Sequence, residues 1–383
     1  MWYNFYGDNM DSNQKNFNLY VFFSTFARNL VELYIPILFY KAGYDLPSIM
    51  ISFLLIHFIS LLLDYPCIYL SKKFDNRVLS IVGIIAFCLL QILLNIKMTG
   101  IFSIILIACV YALYRRGYWI ARRYYNLKVI HKDDISKSYS IISIINQIGV
   151  IVSSYIGALF LDYFSLKILT IISIVLFLFS VIYLYKLKFT HEKNDIKIDL
   201  FKTLKKIPKE DIFLFGTYEL TTVVKLIFPL FLFLYVKDNF QTVGLLTLFT
   251  NLATILFAYF YGKKVNGKKN FLTLSLVFVV LVFFMKCNVT GILLVIVSFF
   301  EGIVGKMHEI SMSKEFYALS KKFEYYNYNL AYEVIQNVSR TVMTLILLIF
   351  IKDLKMMIYV TLLVMLTGIF VKFKKARGRD FDI

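Results

Sequence analysis

The sequence predicts an all-α integral membrane protein with twelve transmembrane helices in two pseudo-twofold-related six-helix bundles. Three observations lead there. Apolar residues make up 59% of the chain and the mean hydropathy is +0.71, well above a soluble domain, which sits near half apolar. The basic residues fall in alternate loops. The second half of the chain repeats the first.

Apolar runs of about 18 residues or more read as membrane spans. They recur at roughly 17–40, 48–71, 78–97, 99–121, 138–161, 165–187, 211–236, 241–262, 270–287, 289–311, 326–351 and 354–373. The start, "MWYNFYGDNMDSNQKNFN", is polar and lacks the basic, apolar and small-residue order of a cleavable signal peptide. The first span is therefore expected to direct insertion.

The net charge of +18 raises the question of a nucleic-acid partner. On twelve spans, most of the 42 Lys and Arg fall on one side. Only Lys41, Lys97, Lys167, Lys237, Lys286, Lys352 and Lys355 fall in the opposite loops. This is the positive-inside pattern; it predicts cytoplasmic termini and argues against nucleic acid. The four cysteines, Cys67, Cys88, Cys109 and Cys287, form no CxxC pair and lie in or beside apolar runs. Neither a disulfide framework nor a zinc site is indicated, and no cofactor is expected. Asn288-Val289-Thr290 matches a glycosylation sequon, a pattern short enough to arise by chance.

"VELYIPILF" (Val31–Phe39) resembles "VKLIFPLFLF" (Val224–Phe233), so Glu32 matches Lys225 and Pro36 matches Pro229. "SKKFDNR" matches "GKKVNGKK", Thr99-Gly100-Ile101 matches Thr290-Gly291-Ile292, "IINQIGV" resembles "VIQNVSR", and Leu166-Lys167 matches Leu354-Lys355. Five matches in order at a nearly constant offset indicate duplication. The expected halves are residues 1–188 and 211–383, joined by a charged linker over 189–210. Ile198, Phe201, Leu204 and Ile207 recur there at helical spacing, as in a short amphipathic helix on the membrane surface. Six spans per half make the repeats parallel, a layout of secondary transporters.

Two six-helix halves, a basic central loop and a basic turn after the second span of each half resemble the major facilitator superfamily over nearly the whole chain. The family signature after the second helix reads roughly G-x-x-x-D-R-x-G-R-K, preceded in an export-rich group by an acid and a proline. Here "DYPCIYLSKKFDNR" supplies Asp64, Pro66, Lys73, Phe74 and Arg77 at matching positions, while Ile68, Lys72 and Asp75 replace two glycines and the aspartate. In the fifth span "GVIVSSYIGA" resembles the antiporter pattern G-x-x-x-G-P-x-x-G-G at Gly149 and Gly157, with Ser153-Ser154 in place of Gly-Pro. Helix packing alone also favours such small residues. The resemblance implies that Asp64, Pro66, Lys73, Arg77, Gly149 and Gly157 serve conformational change, and that spans 1, 4, 7 and 10 line a central cavity.

An ionisable group near the bilayer centre costs at least about 2.5–3.5 kcal/mol on insertion scales. Arg28 and Glu32 lie one turn apart in span 1, Arg115 and Arg116 in span 4, Glu219 and Lys225 in span 7, and Glu301 in span 10. In "YRRGYWIARRYYN" (Tyr114–Asn126), Arg122 and Arg123 are expected to snorkel to lipid phosphates. Arg115 and Arg116 lie roughly 10 Å deeper and point about 100° apart. One of them is expected to face the cavity, the other to meet a neighbouring helix or a carboxylate such as Asp64. Arg28, Glu32, Arg115, Arg116 and Lys225 are the cavity candidates. Glu219, Glu301 and Asp64 are candidate proton carriers, with fixed ion pairs as the alternative for the glutamates. Glu32 and Lys225 are expected to approach one another across the pseudo-twofold axis, with Arg28 as the competing local partner of Glu32.

No G-x-x-x-x-G-K-[ST] phosphate loop is present, so an ion gradient is the expected energy source. The expected activity is proton-coupled export of an amphiphilic or peptide-like compound by a monomer in a bacterial plasma membrane. Import of an anionic nutrient, lipid or glycolipid translocation, and a non-transporting sensor are the alternatives. No nucleophile, base or metal constellation points to an enzyme.

Overall fold

The computed structural model describes residues 12–96, 100–129, 135–189, 197–237, 239–264, 272–350 and 353–379. Lys97, Lys352 and the 190–196 part of the linker lie outside them. Among the described residues there is helix and no strand. Lipid offers the backbone no hydrogen bonds, so a spanning segment must satisfy its own. Eleven helices are long and apolar enough to cross a membrane, and a shorter apolar one lies at Leu272–Lys286.

The first span is α1 (Ser12–Asn29), a 3-10 turn (Glu32–Tyr34) and α2 (Ile35–Lys41). Then follow α3 (Leu46–Lys73), α4 (Asn76–Ile96), α5 (Ile101–Val129), α6 (Ile135–Tyr163) and α7 (Leu166–Tyr185). After the short α8 (Leu200–Lys206) come α9 (Lys209–Tyr235), α10 (Phe240–Lys264), α11 (Leu272–Lys286), α12 (Gly291–Phe323), α13 (Tyr325–Leu347) and α14 (Leu354–Arg379).

The ends follow local chemistry. Asp45 caps α3 by accepting from Ser48 N at 3.0 Å, with a proline in the first turn; bonding to Ser48 holds its exposed carboxyl below the usual carboxylate range. Ser165 caps α7. Glu324 alone separates α12 from α13, at φ +74°. Its carboxylate accepts from Tyr326 N and Asn327 N, which offsets the cost of a left-handed non-glycine residue.

Proline breaks the first span and not the seventh. Pro36 has no N–H to offer the carbonyl four residues earlier, and upstream of it the chain tightens into the 3-10 turn. Its repeat partner Pro229 sits inside an unbroken α9.

Close packing sets the spacing of the spans. A Cβ on Gly83 of α4 would lie 2.5 Å from Tyr118 N, and one on Gly117 of α5 2.9 Å from Leu79 O, so these two helices touch backbone to backbone. The two groups of helices, α1–α7 and α9–α14, meet chiefly where α6 runs along α10 and α3 along α13.

Contacts define the two ends of the bundle. At one end Lys188 N bonds Asn13 Oδ1 at 2.7 Å, Arg77 donates to Leu187 O, and Asp199 N bonds Asn327 Oδ1 at 2.7 Å. This end carries the basic loops. At the other, Asp162 accepts from Phe240 N (3.3 Å) and Gln241 N (2.9 Å).

Two expectations are corrected. α5 and α12 run well past residues 121 and 311; in α5 the charged continuation pairs inside the protein through Arg122 and Arg123. In the linker helix α8, Phe201 is 77% exposed while Thr203 and Ile207 are buried. Lys286, placed in a loop by the charge pattern, is 4% exposed at the end of α11. Lys306, within the expected span 289–311, lies in α12 and is 1% exposed.

Candidate functional site

A central cavity of ≈570 Å³ lies between the two groups of helices. Arg28, Glu32, Tyr111, Arg115, Trp119, Asn146 and Gln147 line it from α1–α6, and Glu219, Thr222, Lys225, Glu309, Gln336 and Arg340 from α9–α13. The fifth and eleventh spans thus join spans 1, 4, 7 and 10 on its wall.

Arg28 and Glu32 pair at 2.9 Å across the break in the first span. Tyr111 donates to Glu32 at 3.1 Å, and the Arg28 guanidinium lies 4.8 Å from the centre of the Trp119 ring. The pairing of Glu32 with Lys225 is not made. Lys225 is exposed on the cavity wall and, among the described residues, has no carboxylate within ion-pairing distance. The chain break keeps Arg28 one turn away, so the local partner takes Glu32.

The two deep arginines diverge as their spacing requires. Arg116, 2% exposed, pairs with Asp64 at 3.0 Å and with Glu333. Asn337 Nδ2 donates to Asp64 at 2.8 Å, Arg123 pairs with Glu333, and Arg340 pairs with Glu219. Gln336 Nε2 donates to Glu219 at 2.5 Å. Three guanidiniums therefore meet three carboxylates in one buried network across α3, α5, α9 and α13. Arg115 turns the other way. Its Nη1 lies 3.3 Å from His57 Nδ1, and no carboxylate among the described residues pairs with it.

Snorkelling is corrected for both outer arginines. Arg122 is 4% exposed and donates to Tyr118 OH at 2.8 Å and Asn146 Oδ1 at 2.7 Å; Arg123 joins the network. α5 continues past them, so they point along the same inner faces as Arg115 and Arg116, seven residues earlier.

Glu301 and Glu219 both sit in ion pairs. Lys286 Nζ bonds Glu301 at 2.5 Å and Thr250 Oγ1 lies at 3.4 Å. One helical turn or two further along α12, Lys306 pairs with Glu309 at 2.7 Å, and His308 Nδ1 lies 2.8 Å from Ser275 Oγ.

The signature-like residues divide. Asp64 is fully buried in the network, and Pro66 lies inside α3 two turns before its end. Lys73 is exposed beside the Tyr69 and Phe74 rings. Arg77 joins Asp75 at 3.5 Å and the Leu187 carbonyl. Gly149 faces Phe22 O of α1, and Gly157 meets the Leu30 backbone at the break. Ser153 and Ser154 bond the Val150 carbonyl.

Sequence reasoning left Glu333 and Arg340 outside the cavity set and gave Gln336 and Asn337 no role. The signal was there: positions 333, 336, 337 and 340 recur at helical spacing and share one face. The repeat also aligned Gln336-Asn337 with Asn146-Gln147, both cavity or network pairs.

Twelve apolar helices among the described residues, around a charged cavity, define a multi-pass membrane protein. The family model of the Major Facilitator Superfamily matches residues 17–313, and the chain belongs to that superfamily. Among solved structures it is similar to that of a point mutant of the nucleoside transporter NupG: TM-score 0.67 and 14% identity, over 93% of this chain and 98% of that one. At that identity the likeness shows the fold. No curated protein matches the chain in sequence.

Proposed function

We propose that this transporter carries an organic anion across a bacterial plasma membrane by alternating access, driven by the proton gradient. One observation carries the substrate class. Every carboxylate on the cavity wall (Glu32, Glu219 and Glu309) has a cationic partner, whereas Arg115 and Lys225 have no carboxylate at ion-pairing distance among the described residues. An anion that enters supplies the missing counter-charge, and a charge-assisted hydrogen bond contributes about 1.5–3 kcal/mol. The volume, ≈570 Å³, is that of a small-molecule site. A nucleoside, the class of compound for which NupG is named a transporter, is uncharged and would leave both cations unmatched.

Gathering of basic residues at one end supports cytoplasmic termini. Among the candidate proton carriers Glu301 is the most accessible, its side chain 13% exposed against 0% for Asp64 and 6% for Glu219. Export of a drug-like or peptide-like amphiphile is the second reading, favoured by Trp119, Phe316 and Tyr332 on the cavity wall.

Transport by purified protein in proteoliposomes decides. Organic anions, nucleosides and cationic dyes are compared with a pH gradient of either sign. Saturable, gradient-dependent movement of anions is expected, reduced at least about tenfold in Arg115→Gln and Lys225→Met, as the loss of one such bond implies. Transport of dyes or nucleosides that ignores both substitutions would overturn the anion reading.

A further inference from the structure

Beside the central cavity lies a chamber of ≈240 Å³ lined mainly by α9, α10, α11 and α12, with Asn29, Leu33, Gln147 and Val150 of the first half on the side it shares with that cavity. Tyr218, Thr221, Lys225 and Asn251 line both spaces, so the two meet at that wall. Beyond this mouth Leu232, Val243, Leu246, Val279 and Phe283, all buried, form an apolar wall, and threonines and ion pairs make up the rest of the lining. Its other charges are matched, Lys286 with Glu301 and Lys306 with Glu309. Lys225 at the mouth is the exception. Gly305 of α12 lines the chamber, and a Cβ built there meets no atom within 4 Å; the wall is open at that point.

An apolar cavity of about 150 Å³ accommodates benzene, so this chamber has room for a substituted ring. Water against the apolar wall finds few partners, and an apolar group that displaces poorly held water gains affinity. We infer that the chamber is a side pocket of the substrate site. It takes an apolar body the size of one substituted aromatic ring, while Lys225 holds the anionic head group of the same molecule at the mouth. The substrate class is then an aryl- or branched-alkyl-bearing anion. This rests on the anion reading of the central cavity, and it explains why that cavity combines cations with aromatic walls.

Binding of propionate, 3-phenylpropionate, 3-(2-naphthyl)propionate and the neutral 3-phenylpropanamide to the purified full chain tests it, read by Trp fluorescence and thermal shift. The phenyl group should tighten binding over propionate by roughly tenfold or more, from the apolar area it buries. Gly305→Leu fills the open wall and should bring that ratio towards one. Val279→Ala enlarges the chamber and should move the preference towards the naphthyl compound, which keeps the test decisive if Gly305→Leu does not fold. No gain from the phenyl group, or a gain and size preference indifferent to both substitutions, would overturn the side pocket. Equal binding of the amide and the acid would overturn the anion reading and the head-group contact, separately from the Gly305 result.

Discussion

Arg116 and Arg115 are neighbours with opposite duties, and single substitutions separate them. Arg116 neutralises Asp64 and Glu333, both with fully buried side chains. Removing it leaves Asp64 without a cationic partner and Glu333 with Arg123 alone, and breaking a buried pair costs about 3–5 kcal/mol. Arg116→Ala is expected to lower the thermal midpoint sharply in detergent, or to prevent recovery of monodisperse protein. Arg115→Ala should leave the midpoint nearly unchanged and abolish anion binding. Similar midpoints for the two would mean that the network does not hold charge as described. Arg122→Ala, expected to be mild on the snorkelling view, should instead cost roughly 2–3 kcal/mol, since it removes charge-assisted bonds to Tyr118 and Asn146; differential scanning measures it. The deep charges of spans 1, 4 and 7 were legible because each interrupts an apolar run. Their partners were not. Glu333, Gln336, Asn337 and Arg340 share one face of the eleventh span, but which charges that face meets is set by how α13 packs against α3, α5 and α9.

The first span shows how an element serves the site. Pro36 relaxes the helix just where the chain must present Glu32 to the cavity, and Gly157 lets α6 approach the backbone at Leu30 closely. The broken segment still keeps Arg28 and Glu32 at pairing distance. Local pairing makes a definite prediction. Glu32→Gln should impair transport, and the reversal Arg28→Glu with Glu32→Arg should recover part of it at equal expression. The cross-half exchange Glu32→Lys with Lys225→Glu should recover nothing, and recovery there would reinstate the pairing across the pseudo-twofold axis. Twelve spans could be read from hydropathy because each holds an apolar run of sufficient length. The lengths of α5 and α12 could not, because a hydropathy window treats every charge as facing water. Arg122 and Arg123 meet polar partners inside the protein instead, and α5 continues past them.

At the scale of the molecule, transport requires that contacts between the two groups of helices break at one end while they hold at the other. The two ends are built unequally. On the basic side the halves share the Arg116–Glu333 and Asp64–Asn337 contacts, nearly excluded from water, with the Tyr124 and Tyr325 rings 6.2 Å apart beyond them. On the opposite side Asp162 of α6 accepts the first free N–H groups of α10. That is a helix cap supplied by the other half, and a cap contributes about 0.5–2 kcal/mol. The conformational balance is therefore held by a buried network against one cap and its packing. Weakening either should shift the population predictably, since about 1.4 kcal/mol is a factor of ten. In a cysteine-free background, Lys225→Cys reports on cavity access to a membrane-impermeant thiol reagent applied from the Asp162 side. Adding Asp162→Ala should raise its labelling rate by roughly three- to tenfold, as a lost cap of about 1 kcal/mol implies. Adding Asn337→Ala weakens the basic side instead, favours opening there, and should lower the rate from the Asp162 side. If both substitutions change labelling in the same direction, the two sets of contacts do not oppose one another, and the cavity is reached without exchange between them.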